Sequence, residues 1–141
     1  MENIMQNISN QTSLPDRTTA ALWTGRVLTT LPVLFLLMDG VMKLFKPEVV
    51  VKATEELGYG EQVIVPLGIV LVVSTILYVI PRTAVLGAIL LTGYLGGAIA
   101  TQVRVGAVAF NILFPIIMGA LIWGGLYLRD NRISALVPFR K

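Results

Sequence analysis

From Leu22 onward the chain alternates long apolar runs with short polar punctuation. Twenty consecutive uncharged residues lie between Glu61 and Arg82, 21 between Arg82 and Arg104, and 24 between Arg104 and Arg129. About 20 apolar residues cross the hydrocarbon core of a bilayer as a helix. Each interval therefore predicts a membrane span, at about 63–80, 83–103 and 108–128. A further span, first in chain order at about 22–44, is weaker. Its uncharged stretch is only the twelve residues 27–38, bounded by Arg26 and Asp39. Arg26 reaches the interface along its aliphatic stem beside Trp23, which lengthens the useful run. Asp39 then falls roughly 24 Å along the helix from Trp23, at about 1.5 Å per residue. The first span is thus expected to carry an acid inside the hydrocarbon or at its edge.

The polar punctuation predicts the connections. Residues 1–21 are rich in Asn, Gln, Ser and Thr and carry no apolar periodicity, which reads as a poorly ordered tail. They lack the basic start and apolar run of a cleavable signal, so the first span is expected to be retained. In the connection from Lys46 to Gln62, Pro47 fits a helix start and Gly58 a helix end. Val50, Ala53 and Leu57 share one face, and Glu48, Lys52 and Glu56 another, as in an amphipathic helix on the membrane surface. An exposed loop helix without lipid contact is the alternative. Only Pro81 and Arg82 separate the second and third spans, which requires a tight antiparallel hairpin. Pro66 sits near a helix start and disturbs little, whereas Pro115 predicts a kink in the fourth span. Trp123 and Tyr127 before Arg129 read as an interfacial aromatic belt, and residues 138–141 as a basic end. The expected architecture is all-α: a four-helix transmembrane bundle over 22–137, up-down-up-down, with a short amphipathic surface helix between the first and second spans.

Composition sharpens this. Hydrophobic residues make up 55% of the chain and charged residues 13%, against about 25% charged in soluble domains. The formal net charge is +3, but the charges flank apolar spans, so anionic lipid headgroups rather than nucleic acid are the expected counter-surface. Four spans put both termini on one side with Arg17, Arg26, Arg82, Arg129, Arg132, Arg140 and Lys141; the other side holds Lys43, Lys46, Lys52 and Arg104. That excess places the termini in the cytoplasm. With no Cys and no His, the chain has no disulfide or thiolate site, no usual general base near neutral pH and no usual axial haem ligand.

Two groups of residues stand out. Gly93 with Gly97, Gly96 with Ala100, and Ala120 with Gly124 form small-xxx-small pairs, which let helix backbones approach closely in lipid; a glycine-lined substrate passage is the functional alternative. The second group is polar. Asp39 and Lys43 are one helical turn apart, and Gln102, Arg104 and Asn111 end or begin spans on the same side, so these five are expected to converge on one layer. An acid at the centre of a bilayer helix costs roughly 2.5–3.5 kcal/mol on insertion scales and should find a partner. Arg104 is the first choice for its two-pronged geometry and Lys43 the second. Thr92, Tyr94 and Thr101 are weaker additions. Such a cluster either fixes helix register or forms a pocket for a headgroup, a quinone ring or a protein partner. No catalytic dyad and no metal-ligand spacing is present.

Three stretches together resemble one family: Leu37–Phe45 (LMDGVMKLF), Pro81–Gly87 (PRTAVLG) running into Gly93–Thr101 (GYLGGAIAT), and Phe114-Pro115 through Trp123–Arg129 (WGGLYLR). The chain is similar there to the DoxX-like family of small bacterial membrane proteins, over about residues 22–137. The resemblance implies a four-helix protein of the bacterial inner membrane. Founding members are associated with a thiosulfate:quinone oxidoreductase and some relatives with membrane complexes handling oxidative stress, so a quinone enters on resemblance alone and no cofactor follows from the residues. Relatives often carry His where this chain has Gln102, which weakens the redox implication and leaves a hydrogen-bonding role. The leading expectation is an accessory or complex-forming membrane subunit without autonomous catalysis, in contact with the bilayer and with a protein partner or further copies of itself. The alternatives are a component of a quinone-linked oxidoreductase and an oligomeric small-solute transporter.

Overall fold

The computed structural model describes residues 1–12 and 19–136. Its elements are α1 (Glu2–Thr12), α2 (Thr19–Phe45), α3 (Glu48–Glu56), a 3-10 turn (Glu61–Val63), α4 (Ile64–Val79), α5 (Ala84–Arg104), α6 (Ala109–Arg129) and α7 (Asn131–Leu136). Four helices are long and apolar enough to cross a membrane: α2, α4 with its preceding turn, α5 and α6. The chain is a multi-pass membrane protein, and each span lies within a few residues of the interval that the charge pattern predicts. α2 packs on α4 and α6, and α5 packs on the same two, so α2 and α5 face each other across the bundle.

The connections follow from local chemistry. α2 stops where Lys46 takes a left-handed conformation (φ 50°) ahead of Pro47, and the Lys46 ammonium pairs with Glu61 at 2.7 Å. α3 ends in a Schellman motif: Gly58 at φ 82° lets its N–H reach Glu55 O (2.8 Å) while the Tyr59 N–H reaches Thr54 O (3.2 Å). α5 closes in the same way around Gly106 (φ 66°), with Gly106 N–H on Val103 O and Ala107 N–H on Gln102 O. Between α4 and α5, Pro81 cannot extend a helix, and the Thr83 hydroxyl donates to the free Leu77 carbonyl at 2.8 Å. α6 runs on through Pro115 as one helix.

Lipid supplies no hydrophobic drive between helices, so close packing and hydrogen bonds hold the bundle. The glycines that do this are not the spaced pairs. A Cβ at Gly93, Gly96, Gly97 or Gly124 would meet nothing within 4 Å. Within this chain the helix-packing role expected of them is therefore not exercised at these glycines, and Ala100 and Ala120 are likewise exposed. Close approach occurs instead at Gly25 against Gly125 (α2 on α6), at Gly40 against Gly68 (α2 on α4), and at Gly87, where a Cβ would sit 2.2 Å from the Tyr78 backbone nitrogen. Packing of two backbones needs a small residue where the helices cross, and spacing along one helix does not locate that crossing. The core beside these contacts holds Leu71, Tyr78, Ala88, Leu91, Ile122 and Leu126, all fully buried. The Tyr78 hydroxyl donates to Ile122 O at 2.7 Å. Buried Ser74 and Thr75 satisfy their hydroxyls on Val70 O and Leu71 O one turn earlier. The outward faces are apolar, with Leu31, Leu34, Ile69, Ile89 and Leu113 presented to lipid.

Three further features complete the fold. The N-terminal segment is helical over Glu2–Thr12, where Ile4 and Ile8 share a face amid short polar residues; residues 13–18 lie outside the described residues, as do residues 138–141. Beyond α6 the chain forms α7, begun by an Asp130 carboxylate accepting from the Arg132 N–H at 2.9 Å, with Ile133 buried in the core. Trp123, read as a belt residue, donates its indole N–H to Thr92 Oγ1 at 2.8 Å, joining α6 to α5.

Gly87→Ala should destabilise the bundle by about 1–3 kcal/mol, the usual range for overpacking. Gly96→Ala should hold or raise stability, since alanine favours a helix by about 1 kcal/mol over glycine. Thermal melts of the two variants in detergent check this, and a Gly96→Ala loss as large as that of Gly87→Ala contradicts the packing assignment.

Candidate functional site: a cavity at one end of the bundle

The helices pack tightly at the end where α4 turns into α5 and leave a hollow of about 550 Å³ at the other. α2 contributes Phe35, Asp39 and Lys43, α5 contributes Gly93, Tyr94, Gly97 and Gln102, and α6 contributes Phe114 and Met118. The two glycines leave the α5 wall flat. Phe35 meets Phe114 edge-on, with ring centroids 4.9 Å apart and planes at 66°, so at this level bulky rings separate α2 from α6.

The end of the hollow is closed by α3 and the loop behind it. Thr54 is buried and Leu57 lines the cavity. The inward face of α3 is thus Val50, Thr54 and Leu57, with Ala53 exposed, rotated from the face that the apolar pattern predicts. The exposed Glu48–Lys52 pair on its back (2.9 Å) contributes little. The Schellman turn aims Tyr59 at α5, where its hydroxyl lies 3.0 Å from Thr101 Oγ1. Arg104 donates to Leu57 O at 2.6 Å and stacks over the Tyr59 ring, 5.6 Å from its centroid. A cation at the α5 C-terminus thereby also neutralises a free carbonyl at the end of α3.

These contacts settle the partner of the membrane acid. Asp39 pairs with Lys43 on its own helix, not with Arg104, which the α3 terminus engages. The side chains retain 34% and 17% exposure respectively, and the pair leaves the cavity wall with no net charge from these two groups. Of the five residues expected to converge, Asp39, Lys43 and Gln102 line the cavity. Arg104 fastens its closing loop, and Asn111 is exposed at the start of α6, outside the lining. Among the weaker candidates Tyr94 and Thr101 line it, while Thr92 bonds Trp123 instead. Sequence reasoning missed Tyr59, Phe35 and Phe114. Tyr59 carried one legible signal, its place just after the helix-ending Gly58.

Polar capacity is left over in this wall. Among the described residues, neither the Tyr94 hydroxyl nor the Gln102 side-chain amide has a hydrogen-bond partner. No group of three or more acidic side chains able to hold a metal occurs among the described residues.

A family model for the DoxX-like family matches residues 27–125, a stretch that contains α3 and α4 whole, all of α5 and the cavity-lining parts of α2 and α6. The chain belongs to the DoxX-like family. No curated protein matches it, and no solved structure does. The matched region runs from Val27 to Gly125, so this DoxX-like chain carries α1, the first eight residues of α2, the last turn of α6 and α7 outside it.

Asp39→Ala removes the partner of a mostly buried ammonium and should destabilise this DoxX-like bundle by about 1–3 kcal/mol, the range for a stranded polar group. Glu55→Ala, on the exposed face of α3, should stay within about 0.5 kcal/mol. Equal melting temperatures for the two variants in detergent contradict the buried pairing.

Proposed function

We propose that this chain is a membrane-embedded binding subunit for a neutral amphipathic molecule of the quinone type, and that its own side chains perform no chemistry on it. The observation that carries the reading is the cavity itself: apolar and aromatic walls, a charge-balanced ion pair, and uncommitted polar groups at Tyr94 and Gln102. Its volume lies within the roughly 300–1,000 Å³ of small-molecule sites. A planar ring fits against Phe35 and Phe114, and a ring carbonyl accepts from the Tyr94 hydroxyl or the Gln102 amide. An anion or cation is a poorer fit, since Asp39 and Lys43 already satisfy each other. The residues present can therefore hold a quinone headgroup by packing and hydrogen bonding. Electron transfer, where it occurs, belongs to a partner within a larger membrane complex, which keeps the accessory role together with the quinone-linked alternative.

Transport through a single copy is not favoured. The half of the bundle beyond the cavity is filled by Leu71, Tyr78, Leu91 and Ile122 with at most 1% exposure, so a solute entering the hollow meets a packed core. For orientation, the end bearing the α2 start, the α4–α5 hairpin and the α6 end carries Arg26, Arg82, Arg129 and Arg132. Arg17, Arg140 and Lys141 add to that end by sequence and lie outside the described residues. We place it on the cytoplasmic side of a bacterial inner membrane by the positive-inside rule, which opens the cavity toward the opposite leaflet.

Gly97→Leu projects a side chain into the cavity from a position where a Cβ has no neighbour within 4 Å. It should melt like the parent and bind a decyl-substituted benzoquinone at least about tenfold more weakly, read by native mass spectrometry and by titration in detergent. Equal affinity in the two proteins, or no binding by the parent, overturns the reading.

A further inference from the structure

At the end of the bundle opposite the cavity lies a second hollow, of about 240 Å³, with two guanidinium groups in its wall: Arg26 from α2 and Arg129 from α6. Neither pairs with a carboxylate among the described residues. Arg26 rests over the Trp23 ring at 5.7 Å. Arg129 reaches across to α4 and lies over the Tyr78 ring at 5.2 Å, and its Nε is buried without a hydrogen-bond partner. The Thr29 and Thr30 hydroxyls in the same wall already donate to Gly25 O and Arg26 O. The Arg129 guanidinium also faces the Tyr78 hydroxyl, so the unspent donors are its Nε and the Arg26 guanidinium. A buried charged donor left unpaired is costly, and two like charges facing one hollow are costlier still. Both are relieved by one anion.

Position narrows the chemistry. Arg26 lies near the start of its span and Arg129 ends its own, the depth at which arginines meet lipid headgroups. From there the wall continues along α2 as Val33 and Leu34, with Val79 of α4 beside them, and Leu34 is largely exposed to lipid. A cationic clasp that opens onto an apolar groove running toward mid-bilayer matches a phosphate with an acyl chain beneath it. We propose that this hollow binds an anionic phospholipid, with its phosphate held between Arg26 and Arg129 and a chain along Val33, Leu34 and Val79. Planar guanidinium donors suit phosphate oxygens in a way that a lysine ammonium does not. The site is independent of the larger cavity and of whatever that cavity holds.

Native mass spectrometry of the protein released from nanodiscs of mixed phosphatidylglycerol and phosphatidylcholine tests this. The parent should retain phosphatidylglycerol preferentially. Arg26→Gln, at an exposed side chain that leaves the packing intact, should cut that retention about fivefold, the effect of one interfacial charge. Arg129→Lys keeps the charge but loses the Nε donor and the planar fork, and should also reduce retention. Arg82→Gln, at the same end but outside the hollow, should change nothing. Retention unaffected by Arg26→Gln, or lowered equally by Arg82→Gln, overturns the proposal. Displacement of the lipid by millimolar inorganic phosphate, with no preference between the two phospholipids, overturns it in favour of a free anion.

Discussion

Helix backbones in lipid approach closely only where a small residue lets them, and in this bundle the arrangement of those points decides everything else. α2 touches α6 through Gly25 and Gly125 near one end, and touches α4 through Gly40 and Gly68 near the other. It therefore leans from one neighbour toward the next as it crosses. Where it has left α6, Phe35 and Phe114 fill the widening gap. On the far side Gly87 clamps α5 onto α4 at the hairpin, so those helices too are closest at the packed end. The cavity is the geometric consequence of where the glycines lie.

Polar groups within the spans divide by how fully they are satisfied. Ser74, Thr75, Thr92 and Thr101 each return a hydrogen bond to the preceding turn, the least demanding solution for a hydroxyl in hydrocarbon. Asp39 takes another: its partner is one turn further along the same helix. An acid N-terminal to a base at this spacing is the favourable orientation on a helix, and the pair forms without help from tertiary structure. The tertiary cation, Arg104, is thereby released to tie the α3 loop to α5. Tyr59 adds a second tie through Thr101, and the cavity acquires a roof anchored on the helix that forms its flattest wall.

Much of this was legible in the sequence, because the signals were local. Uncharged intervals bounded by Arg and Glu locate the spans, Pro81 with Arg82 locates the hairpin, and Gly58 marks the end of α3. What escaped was relational. Gly93 and Gly97 have the spacing of a packing motif yet face open space, while Gly25 and Gly125, on helices far apart in the chain, have no spacing to read. The choice between Arg104 and Lys43 turned on where the α3 terminus would lie, which no pattern in α2 or α5 encodes. Tyr59 was similarly hidden, since its aim depends on a left-handed turn whose consequence appears only once α5 is in place. Ile4 and Ile8 could have marked α1, but two apolar residues among Asn and Gln are a weak periodicity.

The two ends of the bundle then differ in a way that bears on function. One end is packed and, among the described residues, keeps two arginines without carboxylate partners. The other is hollow, and its wall carries the paired Asp39 and Lys43. A conduit needs continuity between ends, and the fully buried layer around Tyr78 and Ile122 interrupts it. A binding protein needs a closed floor, a shaped wall and a few uncommitted polar groups, and the hollow end has each of these. The cationic end has the opposite character, with charge in excess around a smaller hollow, as suits the depth of headgroup phosphates. A fold whose halves are so unlike fits the proposed receptacle: the packed half joins the helices, and the hollow half keeps open space between them.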